Sequence, residues 1–243
     1  MNLSRVQNHA CSALRQKLYK LGRHLKGPGV YFAAWRCAVA RIAVMTAAVC
    51  LLVSAASCVN IVRPNFESQL ENLRSGNYEL DPAHAVVLFK VEHLGLSLYV
   101  GRFNTLEAEL SFDPADIEAT QLSGTVELAS VDTNNADIED LLRGGDWFNT
   151  GQHPNATFAT TAVTLAADDS LLVEGLLTLR AQTHPIILQA RFNGGADNLL
   201  TRRYTLGFTA TGELSRTDFG MDAFAGLIAN EVELEIHAEF LRK

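Results

Sequence analysis

Glu231-Val232-Glu233-Leu234-Glu235-Ile236-His237-Ala238-Glu239-Phe240 alternates polar and apolar side chains without a break. A period of two belongs to a β-strand: Val232, Leu234, Ile236, Ala238 and Phe240 share one face, and the glutamates and His237 share the other. About eight runs of this kind lie between Tyr78 and Phe240. Half-buried strands joined by short turns have exposed edges, and closure into a barrel removes them. The predicted class is therefore all-β, an eight-stranded antiparallel barrel with one short capping helix, although a sandwich would need the same apolar stripes. Such a barrel either fills its centre with side chains or keeps room for one small apolar ligand. Alternation by itself leaves that choice open.

The strands are expected at 78 to 92, 102 to 112, 121 to 131, 156 to 166, 171 to 180, 185 to 193, 203 to 215 and 230 to 241. Asp113-Pro114-Ala115-Asp116, Asp168-Asp169, Gly194-Gly195 and Asn230 supply the interruptions, and His153-Pro154 and His184-Pro185 read as the openings of turns. The inward phase takes Val87, Phe89 and Val91; Leu106, Ala108, Leu110 and Phe112; Leu122, Val126 and Leu128; Leu177 and Leu179; Tyr204, Leu206, Phe208 and Leu214. The pattern breaks from Asn134 to Gly145, where Ile138, Leu141 and Leu142 fall at helical spacing. Acidic residues in the first turn and Arg143 near the end suit a helix dipole, and Trp147 and Phe148 follow directly. This helix is expected to cap one barrel mouth.

Charge divides the chain. Nine of the twenty Lys and Arg residues precede Glu67, the first acidic residue; from there on, eleven basic and all twenty-seven acidic side chains give a net charge of −16. A domain so acidic excludes nucleic acid as a partner. Residues 42–62 carry no charge, close to the roughly 20 residues that cross a bilayer as a helix. Basic residues precede them, the arrangement of a segment whose leading side stays in the cytoplasm. The expected organisation is a basic leader over 1–41, a membrane anchor or signal segment over 42–62, a tether over 63–76 and the barrel over 77–243. The leader spaces apolar residues as an amphipathic helix up to Gly27-Pro28-Gly29, and the tether has helical character near Phe66 to Leu73. Ala55-Ala56-Ser57-Cys58 resembles a lipobox and makes Cys58 a possible lipidation site. The barrel is thus expected in the periplasm at a bacterial inner membrane, or free or acylated there after cleavage. All four cysteines fall in the first 58 residues, so the barrel has neither disulfide nor zinc-thiolate site.

The order of motifs is Tyr78-Glu79-Leu80-Asp81-Pro82-Ala83-His84, His93-Leu94-Gly95, Gly101-Arg102-Phe103, Asp132-Thr133, His153-Pro154 with Phe158, and Arg216-Thr217-Asp218-Phe219-Gly220-Met221. Together they resemble the YceI family over about residues 76 to 242. The resemblance implies an extracytoplasmic, lipocalin-like barrel of eight antiparallel strands that binds polyisoprenoid or a similar amphiphile in an elongated cavity. The chain departs from the family after Asp132-Thr133: Ile138-Glu139 and Leu141-Leu142-Arg143 stand where Arg-Asp and His-Leu-Arg are usual. Ala181 also stands where the family tends to have glycine.

The candidate ligand-binding residues are Val87, Phe89, Val91, His93, Arg102, Phe103, Leu106, Leu110, Phe112, Phe158, Leu177, Phe208, Arg216, Phe219, Met221 and Ile236. His93, Arg102 and Arg216 are the candidates for a polar head because they sit in the family-like motifs; Arg makes paired hydrogen bonds to phosphate or carboxylate, and His donates to a quinone oxygen. A structural bond from Arg216 to Asp218 or to the barrel end is the competing expectation. No HExxH, close His pair or nucleophile elbow is present, so neither an enzyme, a metal nor a cofactor is expected. The expected partners are an isoprenoid, perhaps a quinone, and the membrane. A filled-barrel interaction module and a lipid-acting enzyme remain as alternatives.

Overall fold

A computed structural model describes residues 66–167 and 170–243. The basic leader, the apolar segment 42–62 and Cys58 lie outside the described residues. Among the described residues, no helix is long and apolar enough to cross a membrane.

Ten strands are present: β1 (Gly76–His93), β2 (Ser97–Phe103), β3 (Leu106–Phe112), β4 (Gln121–Glu127), β5 (Val131–Asp132), β6 (Asn155–Leu165), β7 (Leu171–Leu179), β8 (Gln182–Asn198), β9 (Arg203–Ser215) and β10 (Ile228–Arg242). They run antiparallel in the order β10-β9-β8-β7-β6-β4-β3-β1, and β1 pairs back to β10 (Val87 with Ile236, Phe89 with Leu234), which closes the barrel. The barrel has eight walls rather than ten, because β2 and β3 form one interrupted strand that pairs with successive stretches of β1. β4 and β5 are likewise halves of one strand, separated by a 3-10 turn at Leu128–Ser130. Ser130 explains why both breaks fall at one level. Its hydroxyl accepts from the backbone N–H groups of Asn104 (3.1 Å) and Thr105 (3.0 Å) and donates to the Glu127 carbonyl (2.6 Å), replacing ladder bonds with side-chain bonds.

Two expected turns lie inside β8. His184 and Pro185 pair with Leu177 and Leu176 of β7. Pro185 is tolerated because β9 joins β8 only from Leu188 on, so the missing N–H faces an unpaired edge. Gly194-Gly195 is a bulge, with the register shifting between Phe192 and Gly194. The strand continues through it because Glu67 pairs with Gly195 from outside, by N–H to carbonyl bonds of 2.8 and 2.9 Å in the two directions. The reversal comes later, where the Asn198 side chain accepts from Leu200 N–H at 2.9 Å.

The incoming chain closes one end of the barrel. The helical character expected near Phe66 to Leu73 is a single 3-10 turn, Leu70–Asn72. Leu73 packs there with Tyr78, Leu110, Phe112, Tyr204, Leu206 and Phe240. Tyr78 is wholly buried, its hydroxyl donating to the Arg74 carbonyl, and burial pushes the phenol up to about 12. The expected helix forms at the other end as α1 (Ala136–Arg143). Asn135 caps it, its side-chain oxygen accepting from the N–H groups of Asp137 (3.2 Å) and Ile138 (3.4 Å). Glu139 reaches back to accept from Thr133 N–H (3.0 Å) and Asn135 N–H (3.2 Å), so the loop and the first turn hold each other.

Candidate ligand cavity

Apolar residues alternate inward on every wall, yet the space between them is not filled. Below α1 lies a cavity of about 450 Å³. Further along the barrel are two smaller ones, about 150 and 90 Å³. Neighbouring compartments share walls: Val87, Val126, Leu177 and Leu234 line both the first and the second. Leu122, Leu188, Ile236 and Phe240 line both the second and the third. The row narrows towards the end closed by Tyr78 and Leu206.

The main compartment borders Val87, Phe89, Val91, His93, Phe103, Leu177, Arg216 and Met221 of the expected set. Leu106, Phe158 and Ile236 line the middle one, and Leu110, Phe112, Phe208 and again Ile236 the smallest. Two expected residues are elsewhere. Arg102 points outward, as it must between the inward Gly101 and Phe103, and donates to the Asp132 carboxylate from Nε (3.1 Å) and Nη2 (3.0 Å). Asn104, the Asn134 N–H and Arg102 together hold that carboxyl below its ordinary range, Asn104 most of all. Phe219 is buried in the 3-10 turn Arg216–Phe219, its ring set edge-on to His184 with centroids 5.1 Å apart. It supports the turn from behind and lines none of the three compartments.

Few polar groups reach the main compartment. His93 and Tyr99 stand at its lip, Asn135 is committed to the helix cap, and no aspartate or glutamate lines it. Arg216 is 2% exposed. Its guanidinium donates to the carbonyls of Ala229 (2.9 Å), Ala223 (2.9 Å), Ile228 (3.2 Å) and Met221, and so ties the loop before β10 to the end of β9. Of the two structural partners expected, the barrel end is the one it takes; Asp218 is not among its hydrogen-bond partners. Burial draws its pKa below the ordinary value, and Asp222 opposes this only through space. Trp147 lies against it, guanidinium carbon to ring centroid 5.4 Å, and is 7% exposed. The indole Nε1–H is buried with no acceptor among the described residues, an unmet donor of the kind that costs about 1–3 kcal/mol. Thr120 Oγ1, in the wall of the smallest compartment, is unpartnered too.

Sequence reasoning placed Trp147 and Phe148 near the mouth but not in the ligand wall, where both stand with Tyr99 and Phe224. Only the aromatic pair directly after the helix signalled this. The departures at Ile138, Glu139 and Leu141 also gain a physical reading, beside the Leu142-Arg143 that matches the family. Ile138, Leu141 and Leu142 border the compartment, while Arg143 turns away to the carbonyls of Ala129 (3.0 Å) and Val131 (3.1 Å). The helix therefore presents an apolar underside. Phe224 in the compartment wall is about half exposed, as are Leu94 and Leu227, and Leu96 in the β1–β2 turn is 83% exposed; Leu98 and Val100 follow on the outer face of β2. Leu94 N–H to the Leu227 carbonyl (2.8 Å) joins the β1–β2 turn to the loop before β10.

A closed antiparallel barrel with a narrow, almost wholly apolar interior open at one end places the protein among the β-barrels that keep internal room of a size for one slender apolar molecule. The chain belongs to the YceI-like domain family, which matches residues 78–240. It is similar to the UPF0312 protein of Shewanella oneidensis, 38% identical over 171 residues, 70% of this chain and 89% of that one. Among solved structures it is similar to the Campylobacter jejuni YceI protein, with 28% identity, a TM-score of 0.57, and cover of 63% and 91% of the two chains. A polyisoprenoid binding domain from Saccharophagus degradans shares the fold at 18% identity and a TM-score of 0.52, over 70% of this chain and all of that one.

Proposed function

We propose that this protein binds one long-chain apolar amphiphile, a polyisoprenoid or isoprenoid quinone, and acts as its extracytoplasmic carrier or buffer. The observation that carries this reading is the row of three apolar compartments sharing walls and narrowing away from one mouth. A filled barrel would have no such row, which sets this reading above a pure interaction module. Burial of a prenyl chain contributes roughly 25 cal/mol per Å² of apolar surface, enough to hold it without any catalytic group. The polar end lies at the mouth, near His93, Arg216 and the unmet N–H of Trp147. The polyisoprenoid ligand of the Saccharophagus domain supports the ligand class. The apolar lip around Leu96 suits exchange with a lipid surface, and the uncharged segment 42–62 suits a tether that keeps the barrel beside its supply.

Native mass spectrometry of the full chain expressed in a bacterium, followed by organic extraction, tests this. One prenyl lipid per chain is the expected result. A protein that arrives empty and stays empty after incubation with prenyl phosphates and quinones overturns the reading.

A further inference from the structure

On the outer wall, at the seam where the first and last walls meet, β1 leaves its ladder with β10. Leu80 pairs with Phe240 and Ala85 with Ala238, so four residues of β1, Asp81 to His84, stand opposite Glu239 alone. The sequence makes the bulge: Pro82 brings no donor, and the Asp81 carboxylate accepts from Ala83 N–H (3.0 Å) and meets His84 Nδ1 (3.0 Å). Asp81 is 8% exposed and firmly held, whereas His84 is open to solvent. The Glu239 side chain makes no hydrogen bond to any described residue; its one interaction is the charge it presents to His84. One ligating atom from each of Asp81, His84 and Glu239 lies within 4.8 Å of the other two.

We propose that Asp81, His84 and Glu239 form a binding site for a divalent transition-metal ion of the Zn²⁺ or Cu²⁺ type, which clips the barrel shut at its seam. One imidazole nitrogen and two carboxylate oxygens suit these borderline ions and leave a further position for water. Calcium asks for six to eight oxygens and magnesium for an octahedral oxygen shell, so neither fits three mixed ligands. Ligands around one zinc ion sit roughly 3–3.5 Å apart, so from separations of up to 4.8 Å the triad must contract by about 1.5 Å, within the side-chain freedom of Glu239 and the exposed His84. An ion bound here joins β1 to β10 and stabilises the folded barrel, as any ligand of the native state does. The sequence hid this site because Glu239 reaches Asp81 and His84 only through the closure.

The test is calorimetric titration of the full chain, solubilised, free of any affinity tag and stripped with chelator, with zinc chloride near neutral pH. One saturable site per chain is expected, unaffected by excess magnesium, together with a zinc-dependent rise in Tm. His84→Ala and Glu239→Gln each weaken binding at least tenfold and abolish the rise. Glu239→Gln keeps the test sharp should His84→Ala misfold, because Glu239 holds nothing else in place. His237→Ala serves as the control: it lies on the same face of β10 with Nε2 2.7 Å from Glu235, and its loss leaves zinc affinity unchanged. The proposal is overturned if the native chain shows no saturable site. It is equally overturned if affinity survives both triad variants or falls as far in the control, the triad then being an ion-pair clamp.

Discussion

At the residue scale, small departures from expected chemistry mark where the chain is strained or held. Ala181 sits at φ +60° in the two-residue β7–β8 turn, beside Arg180 at φ +51°. A left-handed conformation costs an L-residue with a Cβ roughly 1–2 kcal/mol, and glycine escapes it. Ala181→Gly is therefore expected to stabilise the barrel by about 1 kcal/mol in urea unfolding, part of the gain being lost to the entropy of the unfolded chain. Arg180 makes the strained turn worthwhile, since its guanidinium bonds the carbonyls of Gly145 (3.0 Å) and Gly220 (2.5 Å) and so ties the loops around the mouth. Asp132 gives a pH dependence. Its folded pKa lies below the ordinary 3.8, so its contribution is present above that value and lost as the pH falls through the folded one. Asp132→Asn is expected to lower Tm at neutral pH, with the gap closing below about pH 4 as the native carboxyl takes up its proton. A gap that stayed constant well below that pH would remove the carboxylate from the account.

At the element scale, the periodicity of two found all eight walls, and the change of spacing after Asn134 found α1. What the pattern missed followed from pairing rather than from period. The sequence shows Pro185 and Gly194-Gly195 as breakers, but whether a breaker ends a strand depends on which neighbour lies beside it. β9 stops short of Pro185, and Glu67 comes in to pair at Gly195, so β8 runs on through both. The unbroken strand expected over 102 to 112 puts Arg102 in phase with Leu106, but the break between Phe103 and Leu106 shifts that phase, so Phe103 faces the cavity and Arg102 faces out to Asp132. The helix carries a prediction of its own. Asn135→Ala removes the cap, and a cost of about 1 kcal/mol to the fold is expected by chemical denaturation. Because α1 covers the main compartment, the same change should speed exchange of bound lipid, measured by transfer to vesicles. Unaltered exchange would mean that ligand passes elsewhere.

At the scale of the whole molecule, the barrel has a direction. The end where the chain runs in is packed with Tyr78, Leu206 and Phe240, and the cavities widen from there to the mouth under α1. Leu177 stands between the main and middle compartments, so Leu177→Trp is expected to shorten the usable length. Short prenyl lipids should still bind at near-native affinity and long ones at least tenfold more weakly, in a series of chain lengths read by native mass spectrometry. A series that shifted uniformly would argue against the chain lying along the axis. The sequence disclosed the greasy lining of this space but not its emptiness, because the volume left between eight walls depends on how they close. One feature of the lining carries a practical consequence. The chain has two tryptophans, and Trp147, in the wall of the main compartment, is the one within the barrel. With Trp35→Phe in the full-length protein, every photon of indole emission originates at the cavity wall, and occupancy can be followed by light in real time without a label.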